Sequence, residues 1–196
     1  VERSRGLGDV YKRQLKKNNL ENLIQKRYLK LYEKKKLNAH VRRILNKGLL
    51  DEIFGRVEKI EDLGEKEIKA FINHPVEGYG LNLFHVSILL LDVDIVKLLI
   101  ELGADVNVPC HINRRTLPPL HLVASTFCGR WRREKGEIID LLIKNNANFE
   151  GLCGNGKTFF EELCGFEVFS REVITFLGRL MESCCCFLSI LDGRNR

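Results

Sequence analysis

Residues 82–107, NLFHVSILLLDVDIVKLLIELGADVN, decide how the rest of the chain is read. They spell a helix, a break around Leu91 to Asp94, and a second helix closed by Gly103, where the chain turns left-handed. Asn82 stands where a side chain can cap the first helix. The landmarks return downstream. Pro119, Leu120, His121 and Ala124 open a second copy 36 residues after His85, with Pro119 suited to a first helical turn. Its second helix carries Ile138, Ile139, Leu141, Leu142 and Ile143, and Asn146 takes the left-handed place before Ala147 and Asn148. Gly156, Lys157, Thr158, Phe159, Phe160 and Leu163 open a third copy 40 residues further on, with Glu161 where the histidine stood. Val173, Ile174, Phe176 and Leu177 supply its outer helix.

The two copies are not the same length. From His85 to Val96 is 11 residues, whereas from His121 to the matching Ile139 is 18, so seven residues are inserted between the helices, around Cys128 to Gly136. Upstream, Leu50, Ile53, Phe54, Val57 and Ile60 give one helix, Asp62 to Gly64 a turn, and Ile68, Phe71 and Ile72 a second helix that Pro75 ends. This is a degenerate first unit, as terminal units of a stack commonly are.

Gly80, Asn82, Leu83, Phe84, His85 and Ser87, followed by Ile95, Val96, Leu98, Leu99 and then Gly103, Ala104, Asp105, Val106 and Asn107, resemble an ankyrin repeat. Leu91 departs from that pattern, standing where a glycine usually separates the helices. The resemblance is strong over residues 78–160 and weak at both ends. It implies an all-α fold, an ankyrin-type α-solenoid of helix-turn-helix repeats with short hairpin-like loops, preceded by a basic helical segment. About four repeats are expected within 48–181, at 49–77, 78–110, 113–150 and 154–181. It also implies structural roles for His85 and His121, whose rings bond to a neighbouring turn, and binding of a protein partner on the concave surface of inner helices and loops. Carried over by position, that surface comprises Tyr79, Leu81, Leu89 and Leu90 in one repeat, Arg114, Arg115, Leu117, Ser125 and Thr126 in the next, and Asn155 and Lys157 in the third. The insertion adds Trp131 among Arg130, Arg132, Arg133 and Lys135, either an anchor for an acidic partner or a ring folded back over lengthened helices.

Residues 1–14 resemble the in-frame translation of a cloning or sequencing adaptor and are set aside as non-native. Charge is unevenly divided. Residues 15–47 hold eleven lysines or arginines against Glu21 and Glu33, whereas residues 48–196 hold 17 basic and 22 acidic residues. Leu20, Leu23, Ile24, Tyr28, Leu31 and Tyr32 fall on one helical face with lysines opposite, and a second short helix presents Val41, Ile44 and Leu45, with Asn38 as its cap and Gly48 as its stop. That basic segment offers an alternative function, contact with nucleic acid or an anionic membrane; against it stands a solvated face capping the stack.

Seven cysteines without zinc spacing or an export signal read as reduced intracellular thiols, so an intracellular, cytoplasmic location is expected. Cys184, Cys185 and Cys186 lie in a Cys-rich tail, 182–196, where lipidation is the alternative to a fraying end. No apolar run reaches the roughly 18 residues of a membrane helix.

One enzyme signal remains. Gly151, Gly156, Lys157 and Thr158 satisfy the phosphate-loop pattern GxxxxGKT, but the preceding KNNANFE is polar rather than a buried strand. Nucleotide binding at 151–158 is thus a remote alternative. His40, His74 and His111 lack ligand spacing, Asp92 and Asp94 read as an interhelix turn, and no nucleophile assembles with a base. The expectation is a non-enzymatic protein with no metal, cofactor or small-molecule substrate.

Overall fold

A computed structural model of the chain describes residues 39–57, 65–125, 132–149, 151–164, 174–176 and 178–179. Among these, helices α1 (Ala39–Ile44), α2 (Lys47–Val57), α3 (Glu65–Asn73), α4 (Leu83–Leu89) and α5 (Val93–Glu101) precede strands β1 (Cys110–Ile112) and β2 (Arg115–Leu117). Helices α6 (Pro119–Ser125), α7 (Arg133–Lys144) and α8 (Phe159–Cys164) follow.

The expectation of an all-α solenoid is corrected: the described residues form a mixed structure of helices and a small antiparallel sheet, β1 pairing with β2. The cause lies in the connection. Cys110 pairs with Leu117 and Ile112 with Arg115, leaving Asn113 and Arg114 as a two-residue loop whose φ angles, 51° and 62°, are both positive. Two such residues make the turn that matches strand twist and closes a tight hairpin. Three-residue strands are too short to announce themselves by alternation, although Cys110 and Ile112 do point inward and His111 outward.

Two other connections follow the same plan. The Val76 amide donates to the Leu81 carbonyl at 2.7 Å, and the Cys153 amide to the Lys157 carbonyl at 2.9 Å. Each connection is a finger, and neighbouring fingers join edge to edge: His111 N donates to Gly80 O at 3.1 Å and Gly154 N to Thr116 O at 2.8 Å. Gly80 and Gly154 are needed there. A Cβ on Gly80 would meet the His111 carbonyl at 2.9 Å, and one on Gly154 would meet the Thr116 amide at 2.7 Å.

Beneath the fingers α4 packs on α6 and α6 on α8, while α5 packs on α7. Inner helices therefore stack on inner helices and outer on outer. Asparagines tie the far ends together. Asn73 donates through Nδ2 to the Gly103 carbonyl at 3.0 Å and accepts the Asp105 amide through Oδ1 at 2.7 Å. One unit later Asn107 repeats this on the Asn146 carbonyl at 3.2 Å and the Asn148 amide at 2.8 Å. Both clamps hold a left-handed helix exit, Gly103 at φ 96° and Asn146 at φ 64°, the two positions expected for that role.

All seven residues of α4 are buried. It is enclosed because α4 lies against α3, α5 and α6, and its two polar residues, His85 and Ser87, are hydrogen-bonded. The core extends from Val41 and Leu45 through Phe84, Leu99, Val123 and Ile139 to Phe159. Gly48 does not stop the first short helix. It sits inside α2, where a Cβ would lie 2.6 Å from the Tyr79 hydroxyl. Part of the insertion lengthens the outer helix, α7 having 12 residues against 9 in α5, and its remainder falls among residues 126–131, outside the described residues.

Candidate functional site

Where α1 meets the first two fingers, a cleft of about 410 Å³ opens. Its lining comes from three places. Arg43 and Ile44 belong to α1, with Asn46 just after it; Gly78, Tyr79 and Leu81 form the first finger; His111, Ile112 and Asn113 belong to β1 and the hairpin tip. Leu81 and Ile112 are buried and make an apolar floor, while Arg43, Asn46, His111 and Asn113 are exposed around it.

The rim is held in place by bonds beneath it. Val41 on α1 and Leu45 just after it, both buried, fix the helix from which Arg43 projects. Asn46 accepts the Leu49 amide through Oδ1 at 3.0 Å, capping α2 and leaving its amide group for the cleft. His111 Nδ1 lies 3.1 Å from the Thr116 hydroxyl, so Nε2 is the nitrogen presented outward. Among the described residues no aspartate or glutamate lines the cleft. Beside it, Arg114 is exposed on the hairpin tip with positive φ, a conformation that costs a non-glycine residue of order 1 kcal/mol.

Not all the residues expected on the concave surface are there. Leu81 (2 % exposed), Leu89 (0 %), Leu90 (9 %) and Leu117 (4 %) are core residues, and their expected exposure is corrected. The reason is enclosure: α4 is covered on every side, and alternation in β2 turns Leu117 inward. Tyr79 is half-buried against Gly48, and Ser125 is half-buried with its hydroxyl donating to the Leu122 carbonyl at 3.2 Å. Arg114, Asn155 and Lys157 are exposed as expected. Thr126 and Trp131 lie outside the described residues, as do residues 1–14, residues 15–38 of the basic segment and the Cys-rich tail. Lys135, read as part of a basic anchor, is buried, and its ammonium donates to the Ala124 carbonyl at 3.1 Å in the last turn of α6. There it offsets the partial negative charge of a helix end.

Arg115 is tied inward rather than presented. Its Nη2 donates to Glu162 Oε1 on α8 at 3.0 Å, and Glu162 is buried. Burial alone works against the Arg115 charge, but the Glu162 carboxylate outweighs it and raises the pKa. Sequence offered no signal for this pair, since 47 residues separate the partners.

His85 is buried, and its Nδ1 accepts the Asn82 amide at 3.1 Å while the His85 amide donates to Asn82 Oδ1 at 2.9 Å. With Nδ1 accepting, Nε2 carries the proton and donates to the Val108 carbonyl at 2.8 Å. Burial pushes its pKa down to about 4, the Val108 carbonyl offsets part of this, and nearby His111 lowers it further. Such a neutral, fully bonded ring positions backbone.

No family model and no curated protein matches the chain.

Residues 151–158 do not form a phosphate cradle. The amides of Cys153, Gly154 and Gly156 donate to the carbonyls of Lys157, Thr116 and Cys153, so the groups that would bind phosphate hold the finger together. Asn145 to Phe149, just before the loop, contain no strand. Among the described residues no cluster of three or more His, Cys, Asp or Glu is placed to hold a metal ion. Among those same residues no helix is long and apolar enough to cross a membrane.

Proposed function

We propose that the chain is a non-enzymatic protein-binding module, of the kind its ankyrin-repeat resemblance implies, and that it grips its partner between the fingers and α1. The single observation that carries this reading is the cleft itself: a buried apolar floor under a rim of polar side chains, beside a hairpin tip that holds Arg114 at φ 62°. A strained, exposed, cationic tip on a bonded scaffold suits recognition better than stability. The inner helices contribute through their packing, because α4 presents no free face.

Affinity capture from a matched cell lysate tests this with two charge reversals. Arg114→Glu removes a tip cation without touching the core, whereas Lys97→Glu alters an exposed position on the outer helix α5. Loss of captured protein with the first and retention with the second is the expected result. Equal capture by both variants contradicts a finger-side site. Arg115→Glu is the wrong probe, since it would set a second carboxylate against buried Glu162.

A further inference from the structure

We propose that the cleft between α1 and the first two fingers receives an acidic side chain, aspartate or glutamate, from an extended segment of the partner, with an apolar side chain beside it. This rests on the protein-binding reading above and names the chemistry of the bound segment.

The lining argues for a carboxylate in three ways. First, the rim offers donors: the Arg43 guanidinium, the Asn46 amide left over from its capping bond, the Tyr79 hydroxyl and the Asn113 amide. A carboxylate only accepts hydrogen bonds, so it suits such a rim where a lysine or arginine would not. Second, among the described residues no lining residue carries negative charge to repel it. Third, among the described residues Arg43 is the one lysine or arginine in the lining, which matches one negative charge; a phosphate carrying nearly two would be left half-compensated there. The apolar part follows from Ile44, Leu81 and Ile112, which form a wall and floor next to these donors. At about 410 Å³ the cleft lies at the small end of ligand sites, room for one or two side chains. Val41 on the same helix and Leu45 just after it are buried, which fixes the backbone from which Arg43 projects.

The test uses the full chain, immobilised, and four fluorescent peptide pools of seven residues. Each pool has Leu fixed beside a central Asp/Glu, Asn/Gln, Lys or phosphoserine and is otherwise randomised. Retention of the Asp/Glu pool alone is expected, weakening about tenfold in Arg43→Glu, the order for one lost charge-assisted hydrogen bond. The reversed chain, checked for folding by circular dichroism, should instead retain the Lys pool. Equal retention of the Asn/Gln pool, or preference for phosphoserine, overturns the carboxylate while leaving peptide binding standing. Retention of the Asp/Glu pool unaffected by Arg43→Glu overturns the placement in this cleft. No retention of any pool overturns both the carboxylate and the peptide-binding reading.

Discussion

In the unit of residues 76–109, His85 is paired through both ring nitrogens, to the Asn82 amide and the Val108 carbonyl. In the unit of residues 110–152, His121 stands at the matching position, fully buried, with the Lys157 and Gly151 backbone nearby but neither nitrogen in full hydrogen-bonding geometry. The difference begins at the cap. Pro118 occupies the place of Asn82 and has no amide proton to give to Nδ1, nor a side chain to accept the His121 amide. Phe159 packs edge-on against the ring, its centroid 6.3 Å away. The third unit solves the same problem differently: Thr158 Oγ1 accepts the Glu161 amide, and Glu161 Oε2 accepts the Thr158 amide in return. Glutamate therefore replaces histidine because either can close the reciprocal cap, provided its partner carries an N–H. One residue type at one register thus has two energetic meanings, decided three positions earlier.

The largest expected effect is on pH dependence. An unfolded histidine near pKa 6.5 binds a proton that folded His85 refuses until about 4, so the unfolded state gains protons first as pH falls. Stability from this group is complete above pH 6.5 and is lost on acidification, by about 3 kcal/mol near pH 4. Urea midpoints measured from pH 7.5 to 4 should show the slope, and His85→Leu should reduce it. His121, whose pKa burial also lowers, adds a slope of the same sign.

At neutral pH the same two positions should separate by mutation. His85→Leu strands the buried Asn82 amide and Val108 carbonyl and should cost about 2–3 kcal/mol. His121→Leu removes a ring whose contacts to the Lys157 and Gly151 backbone fall short of full hydrogen-bonding geometry, and should fall within about 1 kcal/mol of neutral. Equal losses in denaturant titrations would remove the distinction. Asn107→Ala releases the clamp on Asn146 and Asn148, which is exposed, and about 1 kcal/mol is expected. Smallest is Pro118→Asn, which restores the cap and a donor to His121 at some cost in unfolded-state entropy; a net gain of about 0.5–1 kcal/mol is expected. A loss instead would show that the His121 environment is set by more than the missing N–H.

Much of the helical layout was legible because its signals are local. Asn82 caps, Gly103 and Asn146 turn left-handed, and the apolar spacing places Ile68, Ile72, Val96 and Ile139 inward. What escaped depends on distant neighbours. Leu89 and Leu90 look exposed when α4 is read as a surface helix and are buried once α3, α5 and α6 enclose it. Gly48 has the look of a stop signal, whereas the approach of Tyr79 from another element explains it. Lys135 and Arg115 belong to basic stretches, yet each is committed to a partner that sequence distance conceals. The cleft itself joins α1 to fingers more than thirty residues away, and local patterning carries no trace of that meeting. Leu91 keeps φ at 54° where glycine was expected, its buried side chain offsetting the strain.

The finger-side site is tested most directly by photo-crosslinking. A photoreactive residue placed at Asn113, on the rim of the cleft, should capture the bound protein in high yield, and one placed at Lys97 on α5 should give background only. Equal yields from the two positions, or capture from Lys97 alone, would contradict binding between the fingers and α1.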